Sequence, residues 1–184
     1  MPYINVNDQQ LFYAARALDR QPVCLLIHGA AGSHLDWPPQ LRRVENMGSC
    51  ALDLPGHGRS AKPGRSSVSA FADDVMALAE ILSLTEILLV GHSMGGAIAM
   101  EIALREPTSV VGLVLVATGA RLRVQEKLLN LLTDDYKQVV ELVTTLAWGQ
   151  DALAEVVGRG RALMLACDPA AVELDYLACN EFDV

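Results

Sequence analysis

The sequence predicts an α/β fold built on a mostly parallel sheet, opened by an antiparallel hairpin and followed by a helical block. Three observations carry that expectation. Four short β-type runs begin apolar without alternation: PVCLLIHG (22–29), CALDLPGHG (50–58), EILLVGHS (86–93) and VVGLVLVATG (110–119). Strands apolar on both faces fit a parallel sheet covered on each side by helices. Helical spacing lies between the runs, and beyond Gly119 it continues with no further strand, which is a doubly wound layout to about residue 120.

Taken in order, YINVN (3–7) and QLFYAAR (10–16) alternate around the turn-like pair Asn7-Asp8 and read as a hairpin. Val68, Phe71, Val75, Leu78, Ala79 and Leu82 recur at three- and four-residue spacing, with Ser66, Ser67 and Ser69 available as caps. Met94 to Arg105 is an alanine-rich helix stopped before Pro107, which lacks the N–H needed to continue it. Residues 121–183 read as about four short helices. One of them places Tyr136, Val139, Val140, Val143, Leu146 and Ala147 on a single face and stops at Gly149. Asp168-Pro169 has the form of a helix start, cap then first position. The expected division is a core over 1–120 and the helical block over 121–184.

Composition narrows the class. The 184 residues, 52% hydrophobic and 20% charged, suffice for one globular domain with a substantial core. A net charge of −8, from 14 basic and 22 acidic residues, argues against nucleic acid or an anionic membrane surface as partner. VVGLVLVATGA (110–120) is far shorter than the roughly 20 residues of a membrane span, and the N-terminus has no signal-peptide pattern. Cys24, Cys50, Cys167 and Cys179 show no metal-ligand spacing and read as buried, reduced thiols of a cytoplasmic protein.

The chemistry concentrates at GHSMGG (91–96). Gly91-His92-Ser93-Met94-Gly95 fits G-x-S-x-G, directly after an apolar strand and directly before a helix. A sharp turn there exposes a serine nucleophile at the strand end, with the helix N-terminus aimed at what it attacks. Acyl transfer also needs N–H donors for the oxyanion. Met94 supplies one as the residue after the nucleophile, and Ala30, in HGAAGSHLDW (28–37), is placed to supply the other.

Together HGAAGSHLDW, DLPGHGRS (53–60), GHSMGG and VLVATGARL (114–122), in this order, resemble the α/β-hydrolase fold family, especially its small esterase- and lactonase-like members. The resemblance covers nearly the whole chain. It implies that 121–184 is a cap or lid over a mostly hydrophobic pocket, that Asp53 and His57 are scaffold, and that no cofactor or metal takes part. A serine nucleophile sets aside the family's epoxide hydrolases and haloalkane dehalogenases.

The family's triad order is Ser, then Asp or Glu, then His. All four histidines, His28, His34, His57 and His92, precede or adjoin Ser93. His34, in a loop expected to be flexible at the mouth, is the least unfavourable substitute, and Asp36, Asp134 and Asp135 show no spacing that suggests a base. The expectation is therefore a C-terminally incomplete hydrolase fold, with its catalytic Asp and His absent along with two β/α units of roughly 30 residues each. Strand 110–117 then becomes an apolar edge, expected to self-associate or to pair with a missing C-terminal segment. The expected activity is cleavage of small apolar esters or lactones through an acyl-enzyme on Ser93, weak or absent in this chain alone. The alternatives are a non-catalytic module for binding or assembly, and another reaction on the same fold (C–C hydrolase, lyase, cofactor-free haloperoxidase).

Overall fold

The computed structural model describes residues 2–184. Its sheet runs β1 (Tyr3–Val6), β2 (Gln9–Arg16), β3 (Val23–Ile27), β4 (Gly48–Leu52), β5 (Ile87–His92) and β6 (Val110–Val116), in spatial order β1-β2-β4-β3-β5-β6. The first two strands form the expected antiparallel hairpin, with Asn7 at φ 51° in its turn. β2 is antiparallel to β4, and β4, β3, β5 and β6 are parallel to one another. Ile27 pairs with Gly91 and Gly91 with Leu115, so β3, β5 and β6 end level and their following loops emerge side by side. That carboxyl edge is where open α/β sheets place their sites.

Alternation within β3 divides its side chains between two cores. Val23, Leu25 and Ile27 join Leu89, Phe71, Val75, Leu78, Ile98 and Ile102, burying one face under α1 (Val68–Ile81) and α2 (Met94–Leu104). Ser67 caps α1 by accepting the Ala70 N–H, as a serine does at this position. Cys24 and Leu26 turn the other way and pack with Ala51, Val90 and Trp37. No α-helix covers that second face between β3 and β4, contrary to a strictly doubly wound layout. The segment makes only 3-10 turns at His34–Asp36 and Leu41–Arg43. Pro38-Pro39 removes two consecutive amide donors there, which denies it a continuous helical ladder.

The helical block is α3 (Glu126–Asp134), α4 (Tyr136–Ala147), α5 (Ala154–Leu165) and α6 (Pro169–Glu181). Asp168 caps α6 through the Ala170 N–H, with Pro169 in the first turn. Leu132, Val139, Val140, Met164 and Val172 form its own core. The apolar face read along α4 stops short: Leu146 and Ala147 are exposed. Cys167 is half-buried rather than buried, and all four cysteines are free thiols. Residues 183–184 return to the chain after β6, where Val184 N–H donates to the Ala120 carbonyl at 2.9 Å.

β6 is a sheet edge among the described residues. Its side chains alternate onto both faces and stay exposed, with Val111 at 56% and Leu115 at 44%. No helix among the described residues is long and apolar enough to cross a membrane.

Candidate active site

Ser93 stands alone between β5 and α2, at φ 52° and ψ −117°. Its N–H donates to the Val116 carbonyl at 2.9 Å, and its own carbonyl accepts from Gly96 N–H (2.9 Å) and Ala97 N–H (3.2 Å). Both neighbouring glycines are required for contact reasons. A methyl group on Gly95 would run into the Ile27 carbonyl oxygen, and one on Gly91 into the Gly95 carbonyl oxygen. The loop after β3 passes directly against the serine, since a Cβ added to Gly29 would lie 3.2 Å from Ser93 Cβ.

Ala30 follows Gly29 in that loop, and Met94 opens α2. Neither backbone N–H has a hydrogen-bond partner among the described residues. One of these donors adjoins Ser93 at the positive end of α2 and the other lies in the loop packed against it; N–H groups without partners at a helix N-terminus can stabilise negative charge. The next residue, Ala31, is held at φ 55°. Its N–H donates to Asp175 Oδ2 at 2.9 Å and its carbonyl accepts from Cys167 Sγ at 3.1 Å.

Three of the four histidines are committed elsewhere. His28 donates from Nδ1 to the Gly29 carbonyl (2.8 Å) and accepts the Leu54 N–H at Nε2 (3.0 Å), which fixes a neutral ring bracing the loop. Burial, followed by the charge of His57, holds its pKa well below the ordinary value. His57 faces acceptors at both nitrogens, the Pro55 carbonyl (2.9 Å) and Asp175 Oδ2 (2.7 Å). Only the doubly protonated ring satisfies both. Burial pulls its pKa down, but the bond to Asp175, the Asp175 charge and the Pro55 carbonyl outweigh it, and the net direction is upward.

His34 is not at a flexible mouth. It is 8% exposed, and both its backbone N–H (2.7 Å) and Nδ1 (2.8 Å) lie on Asp53 Oδ1, inside a capping box closed by Ser33 and Asp36. Asp53 also accepts Arg59 N–H at 2.9 Å. His92 keeps an exposed surface while its ring packs against Gly29, and this partial burial lowers its pKa against a smaller opposing effect of Asp36. None of the four hydrogen-bonds Ser93 Oγ. Asp36 accepts Ser33 N–H (3.1 Å), Asp135 caps α4, and Asp134 ends α3.

Asp175 is the site residue that reading by motif missed. Its signal was periodicity: Ala171, Val172, Asp175, Ala178 and Cys179 share the buried stripe of α6, and an acid within such a stripe requires partners. Its carboxylate is fully buried, and Oδ1 has no protein partner. Among the described residues no group of three or more His, Cys, Asp and Glu side chains could hold a metal ion.

The family described as alpha/beta hydrolase fold matches residues 22–180. This chain belongs to the α/β-hydrolase family. A thermophilic esterase of solved structure is 30% identical, with a TM-score of 0.81 covering 99% of this chain and 68% of its own. The enol-lactonase from Burkholderia xenovorans LB400 shares the fold at 20% identity and a TM-score of 0.86, covering 99% of this chain and 74% of its own. An uncharacterized protein of Mycobacterium tuberculosis (strain ATCC 25618 / H37Rv) is 33% identical over 143 residues, 77% of this chain. This α/β-hydrolase chain spans only 38% of that relative's length.

Proposed function

We propose that this α/β-hydrolase chain carries the nucleophile and oxyanion donors of a serine hydrolase acting on carboxylic esters or lactones. The observation that carries the reading is Ser93, strained at φ 52°, beside two N–H groups without partners, Ala30 and Met94. Esterase and lactonase relatives support the substrate class. In this reading Ser93 Oγ bonds the carbonyl carbon while its proton passes to a base, and the oxyanion forms against Ala30 and Met94 N–H. The C–O bond to the leaving group then breaks, the departing alkoxide takes the proton, and water hydrolyses the acyl-enzyme. For a lactone the leaving group stays tethered to the acyl chain.

The base and its acid come from outside these 184 residues: His28, His34 and His57 are held by other partners, and His92 makes no hydrogen bond to Ser93 Oγ. Helices α3–α6 form the cap over a mostly apolar substrate. The exposed apolar edge at β6 favours a second contribution, assembly: the edge pairs with a C-terminal segment or with a second copy. Intact mass after fluorophosphonate treatment tests the chemistry. A chain extended through a C-terminal segment should gain one adduct that Ser93→Ala abolishes, and the 184-residue chain should gain it far more slowly. Equal labelling of the extended protein and its Ser93→Ala variant would sink the proposal.

A further inference from the structure

The helical block reaches across to the loop after β3 at one residue, Ala31, and grips it in three ways. Asp175 Oδ2 accepts its N–H at 2.9 Å, and Cys167 Sγ lies 3.1 Å from its carbonyl. Its methyl group belongs to the packed core of the block, with Leu132, Val139, Val140, Met164 and Val172. Ala31 is therefore core by sequence and helical block by packing. It is also left-handed, a conformation that costs an alanine about 1 kcal/mol or more and persists only where its surroundings fix it. With Ala31 φ and both its polar groups fixed, the Ala30–Ala31 peptide is held in place. The Gly29–Ala30 peptide, which carries the Ala30 N–H, is held at its carbonyl by His28 Nδ1 (2.8 Å) and Gly32 N–H (3.1 Å), so the Ala30 N–H is clamped from both sides, one of them by Asp175.

Asp175 is held in turn by the core. His57, in the loop after β4, donates Nε2–H to the same Oδ2 at 2.7 Å, and both side chains are fully buried. One oxygen thus receives an amide of the loop after β3 and an imidazole of the loop after β4, and it is offered from a third element, α6. The bonds differ in kind from a helix packed over a pocket. They make the helical block part of the machinery that aims a backbone donor.

We infer that Asp175 is a positioning residue, acting through the Ala31 N–H to keep the Ala30 N–H directed at the space beside Ser93. This rests on the reading of Ala30 and Met94 as oxyanion donors. The Met94 donor stands on α2, with no bond to the helical block, and so serves as an internal reference. Loss of Asp175 should loosen one donor and leave the other.

The test follows the backbone amides of 15N-labelled protein during titration with butyrate, a carboxylate with the shape of an ester product. In the wild-type chain both Ala30 and Met94 amides should shift, and the Ala31 amide should exchange slowly with solvent. In Asp175→Asn the Ala30 response should fall severalfold while the Met94 response persists, and butyrate should bind up to roughly tenfold more weakly, about one charge-assisted hydrogen bond. Asp175→Glu, which keeps the charge but displaces the carboxylate, should behave like Asp175→Asn, and provides the same readout if the asparagine variant does not fold.

An undiminished Ala30 response in either folded variant overturns the inference. So does rapid Ala31 exchange in the wild-type protein, which needs no variant at all. Silence of both Ala30 and Met94 in the wild type is a different failure: it removes the oxyanion assignment on which the proposed function depends.

Discussion

Ser93 and the buried pair His57–Asp175 show how single residues here are set by their surroundings rather than by their own preferences. Serine does not favour φ 52° with ψ −117°; the fit of Gly91 and Gly95 against neighbouring carbonyls forces the turn on it. His57 and His28 lie with ring centroids 5.1 Å apart yet are driven to opposite charge states, because one meets a carboxylate and the other an amide donor. Their opposite shifts give stability a defined pH dependence. His57 titrates above its ordinary 6.5, so the stability it contributes is complete below that pH and is lost as pH rises through the folded value. His28 titrates well below 6.5, so its contribution is present above that pH and is lost as pH falls. Urea midpoints should therefore decline on both sides of neutrality, and His57→Gln should remove the alkaline decline attributable to this pair. An alkaline limb of unchanged depth would show that His57 is not the group responsible.

Among the elements, local signals were reliable wherever the chain satisfies itself locally. Ser67 and Asp168 cap α1 and α6 as their sequences indicate, and each apolar run holds a strand, although β4 ends at Leu52 and β6 at Val116, short of the ends of their runs. The failures are elements whose surroundings decide. Leu146 continues the helical pattern of α4 but is 71% exposed, since periodicity states which face a residue occupies and not whether anything covers it. β6 is the consequential case. Its residues have the composition of a central strand and the exposure of an edge. Substituting Val111 and Leu113, both exposed, by lysine should reduce self-association with little change in the far-ultraviolet circular dichroism. Sedimentation velocity measures this, and an unchanged mass distribution would argue against β6 as the contact.

At the scale of the whole molecule, two apolar clusters, one beneath the sheet and one within α3–α6, meet at the buried polar junction of Ala31, His57 and Asp175. Removing the carboxylate leaves an imidazolium and an amide buried without an acceptor. Asp175→Ala should destabilise the protein by about 3–5 kcal/mol, the usual range for breaking a buried pair on one side. The helical block should then unfold ahead of the sheet. Hydrogen exchange with denaturant would show the two separating, and a single unchanged transition would refute the coupling. The sequence by itself determined the strands, the helices, the serine at its turn and the loop beside it, because each depends on neighbours within a few positions. Only the tertiary structure decided that Asp175 meets Ala31 across 144 positions, that His34 is buried on Asp53, and that both histidines nearest in chemistry are already engaged. Partners of a buried charge are chosen by proximity in space, and a linear pattern records the need for such a partner without naming it.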